Sequence, residues 1–147
     1  MLPPLNLPPY PFKLKEQENK LYIFDEVRKK YLVVTPEEWV RQHFVQYLLV
    51  EKKYPKGWIS IEGGLKLNEL QKRSDILVYN TEGNPFLLVE CKAPSIKITQ
   101  NVFDQVARYN SIHRVKFLAV TNGLEHFYCE MDYVSHSYRF IPEIPAY

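Results

Sequence analysis

The sequence has little of what would place a protein quickly. Its two cysteines, Cys91 and Cys129, are too few for a disulfide framework, and neither has a CxxC or a histidine partner at zinc spacing. They read as buried free thiols in a reducing compartment. No apolar run approaches the roughly 18 residues a membrane span needs. The leader MLPPLNLPPYPF has neither the basic start nor the continuous apolar stretch of a secretory signal. The expectation is a cytoplasmic protein with no membrane contact. Five glycines and no GxxxxGKS/T leave no P-loop and hence no ATP site of that kind. A formal net charge of +2 is too small to identify a polyanion binder by itself, so any such role must come from how the charge is placed.

What is present suits one domain: 147 residues, 46% apolar and 14% aromatic, can bury one substantial core. Four prolines in the first nine residues favour an extended arm, either loosely packed or docking on a partner. Phe12–Lys15 and Lys20–Phe24 flank Glu16–Asn19 as a hairpin, and Lys30–Val34 adds a third strand, an N-terminal β meander. Thr35 to Tyr54 carries the strongest helix signal. Thr35 is placed to cap, Pro36 sits where a missing N–H costs nothing, Glu37 and Glu38 suit the positive helix end, and Val40, Phe44, Tyr47 and Leu48 form a core stripe. The helix is expected to end near Pro55 and Gly57.

Three strands follow, in WISIEG, RSDILVY and PFLLVECKA, the last two joined by the turn NTEGN. Thr99 to Arg114 returns to helical spacing, VKFLAVTNG reads as a strand buried on both faces, and LEHFYCEM as one strand more. The order is helix, three strands, helix, strand, behind the meander.

Alternation along PFLLVECKA puts Phe86, Leu88, Glu90 and Lys92 on one face and Leu87, Val89 and Cys91 on the other. A hairpin closing symmetrically about Glu82 and Gly83 pairs Asn80 with Pro85 and, in the same register, Asp75 with Glu90. Opposed carboxylates about 4.5 to 5.5 Å apart at Cβ repel and raise each other's proton affinity. A divalent cation resolves that conflict, since Mg²⁺ is held by one or two carboxylates with waters and substrate phosphate. The candidate metal site is Asp75 and Glu90, with the backbone carbonyl of Cys91 between the charged residues and Lys92 beside them. Such a site suits phosphodiester hydrolysis. A solvated ion pair satisfies the same spacing, but the apolar flanks ILVY and FLLV argue for burial, where charge needs a partner or a metal.

RSDILVY, LLVECKAP and QVARY, behind IFDEVRKKYLVVTPEEWVRQHFVQYLL, together resemble the N-terminal nuclease domain of type I restriction enzyme R subunits, in the PD-(D/E)XK superfamily. The resemblance spans Leu21 to Tyr128. It implies a restriction-endonuclease-like α/β (α+β) fold with an αβββαβ core and a central mixed sheet flanked by helices. The division is an arm and meander over 1–34, a nuclease core over 35–129 and a C-terminal tail over 130–147, all one domain. It further implies a Mg²⁺-dependent DNA endonuclease, with Mn²⁺ able to substitute. Asp75 matches the aspartate of the PD half-motif and Glu90 and Lys92 the ExK half. Gln105 and Tyr109 match QxxxY, one helical turn apart on one face, where the polar flank of an amphipathic helix would look the same.

Glu37, Glu38 and Glu62 are further candidate metal ligands, each also explained by first-turn or strand-end placement. The proline expected before Asp75 is Ser74 here. No motor is encoded in this chain, so motor or specificity subunits would come from elsewhere. Candidate phosphate contacts are Lys52, Lys53, Lys56, Lys66, Lys72, Arg73, Arg108, His113, Arg114 and Lys116. The competing reading is a DNA-binding or assembly module that keeps the fold without catalysis.

Overall fold

The computed structural model describes residues 2–61, 76–109 and 113–147, with the side chain of Tyr109 excepted. Three short antiparallel strands open the chain: β1 (Leu14–Gln17), β2 (Lys20–Asp25) and β3 (Lys30–Val33), in that spatial order. The first turn is tighter than expected. Glu16 and Gln17 belong to β1, and Glu18 and Asn19 alone make the reversal, both at positive φ (52° and 66°). A two-residue turn with both residues left-handed has the twist a hairpin needs.

Helix α1 (Pro36–Gln46) starts as its sequence dictates, with the Glu38 N–H donating to Thr35 Oγ1 at 3.0 Å and proline in the first turn. Val40, Phe44 and Leu48 are fully buried. The regular helix stops short of the expected Pro55. One π-helical turn over Tyr47–Glu51 carries the chain to Lys53 at φ 66°, and a 3-10 turn over Lys56–Trp58 leads into β4 (Ile59–Ile61).

Beyond β4 come β5 (Ile76–Tyr79), β6 (Pro85–Cys91), α2 (Gln100–Tyr109), β7 (Phe117–Thr121), β8 (His126–Asp132) and β9 (Ser137–Ile141). The six strands β4 to β9 lie in chain order in one mixed sheet. Only the β6–β7 pair among them is parallel, and α2 is its crossover. The expected αβββαβ order is therefore present as α1, β4, β5, β6, α2, β7. β7 is buried on both faces, as its apolar run implied.

Two apolar layers sandwich the sheet. Ile76, Val78, Leu87, Val89, Cys91 and Ala119 meet α1 and the π turn after it through Val40, Phe44 and Leu48. Leu77, Leu88, Leu118 and Val120 meet α2 through Phe103, Val106 and Ala107.

The segment expected as a tail, 130–147, is structured. It completes β8, reverses through Tyr133–His136 and forms β9, after which Ile144 is buried and the Tyr54 hydroxyl donates to the Pro145 carbonyl at 2.6 Å. The alternation of Tyr138 and Phe140, two residues apart beside α2, is the signal that marks this strand. The arm is extended but not loose. Trp39 Nε1 donates to the Pro3 carbonyl at 2.9 Å, the Asn6 N–H to the Gly123 carbonyl at 2.7 Å, and Leu5 and Leu7 pack on the core.

Candidate metal and phosphate site

β5 and β6 pair as Ile76 with Val89, Leu77 with Leu88 and Val78 with Leu87, which is the register expected from the sequence. Nearer the turn the ladder slips, so that Tyr79, not Asn80, opposes Pro85. The extra residue in β6 is Phe86. It stacks edge-on with Phe117 and near Tyr54 on the α1 side, rather than sharing a face with Leu88 and Glu90 as strict alternation implied. The turn itself is built by Asn80: its side-chain oxygen accepts from the N–H groups of Glu82 and Asn84, and Gly83 supplies φ 85°.

Past the bulge, alternation holds. Leu88 and Val120 lie on the α2 side, and Glu90, opposite Val120 in the parallel ladder, projects with them. Glu90 is only 4% exposed. A carboxylate so deep is costly unless a positive partner or hydrogen bonds compensate it. The amino group of Lys92 stands 3.6 Å from its Oε2 and is itself mostly buried. Lys92 lies just past the strand end, held there because its N–H donates to the Thr121 carbonyl at 2.8 Å and so extends the β6–β7 ladder. Cys91 turns its side chain into the α1-side core and is fully buried, so only its backbone lies between the two charged residues.

The loop after Lys92 is pinned as well. Asn122 Nδ2 donates to the Ile96 carbonyl at 2.8 Å, while its Oδ1 accepts from the N–H groups of Leu124 and Glu125. Thr99 caps α2, its hydroxyl accepting from the Val102 N–H at 3.2 Å. Gln105 lies on the exposed side of α2, away from Phe103, Val106 and Ala107, and Tyr109 follows one turn later.

Asp75 and Glu62 lie outside the described residues, as do Lys66, Lys72 and Arg73. Among the described residues no three His, Cys, Asp or Glu side chains form a group able to hold a metal ion. Glu90 supplies the one carboxylate of the expected pair that is described.

Glu37 and Glu38 stand at the start of α1, whose apolar face covers the opposite side of the sheet from Glu90. Glu38 is buried in a charge network that sequence reasoning did not find. Its carboxylate accepts from Arg41, Arg28 and Gln42 at 2.5 to 2.8 Å, and Glu37 accepts from Arg41 at 3.2 Å. Asp25, 1% exposed, accepts from Arg28 Nε and Gln42 and from the N–H groups of Val27 and Arg28. Burial pushes the Asp25 carboxyl upward, but these donors outweigh it and hold the group below its ordinary value. The i, i+3 and i, i+4 spacing of Glu37, Glu38, Arg41 and Gln42 was visible; the link to β2 was not.

Of the candidate phosphate contacts, Lys52 is buried and paired with Glu143 at 2.5 Å, Lys56 stands 3.9 Å from Glu26, and Arg114 lies over the Tyr133 ring. Lys53 is exposed.

A family model described as type I restriction enzyme R protein N terminus (HSDR_N) matches residues 36–145. The chain belongs to that family. No curated protein matches it. The match takes in α1, the whole six-stranded sheet and α2 of this R-protein N-terminal domain, and leaves the arm and meander outside. No helix among the described residues is long and apolar enough to cross a membrane.

Proposed function

We propose that this R-protein N-terminal domain hydrolyses DNA phosphodiesters with Mg²⁺, for which Mn²⁺ substitutes. Asp75, Glu90 and the backbone carbonyl of Cys91 are the ligands, and Lys92 stands beside them. The observation that carries the reading is Glu90: a carboxylate 4% exposed at the end of a central strand, with a lysine amino group 3.6 Å away. The register of β5 and β6 supports it: Ile76 opposes Val89, as the hairpin reading that pairs Asp75 with Glu90 requires. Family membership supports it too.

The donor set fits the group: hard carboxylate and carbonyl oxygens are what Mg²⁺ takes. When bound, the cation supplies Lewis acidity, lowering the pKa of a coordinated water and offsetting charge on the phosphate. The protein does the rest. Glu90 is fixed by burial and by its pairing with Val120 of β7. Lys92, its backbone anchored on Thr121, offsets negative charge on the phosphate and orients the attacking oxygen. Gln105 and Tyr109, one turn apart on α2, contact the DNA flanking the scissile bond. The partners are DNA and, for sequence-directed cutting, the motor and specificity subunits of a type I restriction complex.

The test is incubation with supercoiled, linear and branched DNA in Mg²⁺, in Mn²⁺ and in EDTA. Metal-dependent cleavage that falls about 10²- to 10⁴-fold in Lys92→Ala is expected. Undiminished cleavage in that variant sinks the assigned mechanism, and DNA binding without turnover in any metal favours a non-catalytic module.

A further inference from the structure

The meander lies outside the segment the family model matches, and its two faces differ in kind. The inward face carries Ile23 and Asp25, both buried, and Asp25 joins the charge network of α1 through Gln42. By strand alternation and the pairings Lys15–Tyr22, Gln17–Lys20, Tyr22–Val33 and Phe24–Tyr31, the outward face carries the opposite set. That set is Lys13, Lys15 and Lys20 around the rings of Tyr22, Phe24 and Tyr31, completed by Gln17 and Val33. It contains no carboxylate.

Phe24 and Tyr31 are in ring contact, and Tyr22 shares their face by strand alternation. Phe24 and Tyr31 centroids are 5.2 Å apart, Tyr31 is 38% exposed, and Tyr22 and Phe24 are half-buried. Lysines lie over them, Lys15 4.2 Å from the Tyr31 centroid and Lys13 5.5 Å from that of Phe24. At the Phe24 end the face runs into a groove of about 380 Å³ that Lys13 and Lys29 also line; its one carboxylate, Glu26, faces Lys56.

Flat rings at strand spacing, interleaved with cations and free of acidic residues, match a ligand that alternates flat bases with phosphates. We infer that this outward face is a stacking platform for single-stranded DNA. Bases stack on Tyr31, Phe24 and Tyr22. The lysines that cap the rings in the free chain swing to the phosphates, exchanging a cation–π contact for an ion pair and leaving the ring to a base. Duplex DNA fits poorly, because its bases are not free to stack on a protein surface. The choice of DNA over RNA rests on the nuclease reading; the platform itself does not depend on Glu90 or Lys92.

The experiment is fluorescence anisotropy with a dye-labelled oligothymidine of about 15 nucleotides, a matched duplex and an oligouridine, all in EDTA so that no cleavage intervenes. The expected result is preference for the single DNA strand, about a tenfold loss in Tyr31→Ala, and retention in Tyr31→Phe. A Lys13→Gln/Lys15→Gln variant should flatten the slope of log affinity against log salt by about 1.4, at roughly 0.7 per phosphate contact. Both lysines are exposed, so this variant reads the face even if removing the ring disturbs the meander.

Equal binding of duplex and single strand, full affinity in both variants, or no binding to any oligonucleotide overturns the platform. Tighter binding of oligouridine overturns the assignment to DNA. Because this assay contains no metal, its failure is separable from failure of the cleavage assay.

Discussion

Replacing Asp25 by alanine tests whether the meander is fixed to α1 by charge. The carboxylate accepts from the Val27 and Arg28 N–H groups at 2.8 Å on one oxygen, and from Arg28 Nε at 2.6 Å and Gln42 Nε2 at 2.9 Å on the other. It is 1% exposed, so no water replaces it. Its removal leaves the Arg28 guanidinium partly buried beside Glu38 alone and two N–H groups without an acceptor. Breaking a buried pair in this way costs about 3–5 kcal/mol, a large share of the roughly 5–15 kcal/mol that holds a domain folded. A drop in Tm on the order of 10 °C follows, read by urea and thermal unfolding. The pH dependence has a definite sign. Because the folded carboxyl sits below its ordinary 3.8, its contribution is complete above that value and is lost as pH falls through the lower folded value. Asp25→Ala should therefore lose part of the acid limb of the wild-type stability curve. A loss under about 1 kcal/mol at neutral pH, with the acid limb intact, would refute the network as a fastener.

Other outcomes follow from the same geometry. In Gly123→Ala, the new Cβ would stand 2.7 Å from Leu5 Cδ2 and 3.0 Å from Val40 Cγ2, at φ +88°, so stability should fall by about 1–3 kcal/mol and protease access to the arm should rise. His43 and His126 are both held below the ordinary histidine value by burial, against which a hydrogen bond at the Trp39 or Asn6 carbonyl works weakly. The unfolded chain takes up their protons first, so stability should decline as pH falls below about 6.5, and His126→Gln should reduce that decline in equilibrium unfolding. Leu88→Ala, at a fully buried position in the α2-side layer, should cost about 2–5 kcal/mol in denaturant titration.

The elements were legible wherever one local rule decided them. Thr35 and Pro36 set the start of α1, Asn80 and Gly83 the β5–β6 turn, and the unbroken apolar run of β7 its burial. The body of the β5–β6 register followed from hairpin symmetry, because a slip by one residue would turn Leu88 and Val89 to the wrong layers. Phe86 was misplaced because a bulge inserts a residue without altering the alternating pattern on either side of it. The end of α1 was hidden for a different reason. Tyr47–Glu51 keeps helical composition, so no local signal separates its π turn from the α-helix before it. β9 fell within the segment taken as a tail, because its partner β8 supplies the pairing that short strands cannot announce alone.

At the site, Glu90 and Lys92 were legible as a pair by strand spacing, and they project together. The tie of Lys92 to Thr121, and of Glu38 to Arg28 and Asp25, depends on contacts between segments distant in sequence, which periodicity does not report.

In the proposed site, the carboxylates of Asp75 and Glu90 share one divalent cation. Isothermal titration of Mn²⁺ into the wild-type chain, Asp75→Asn and Glu90→Gln tests it most directly. One site is expected in the wild type, abolished by Asp75→Asn and by Glu90→Gln, with Lys92→Ala still binding. Equal Mn²⁺ binding in all four proteins, or none in the wild type, would contradict it.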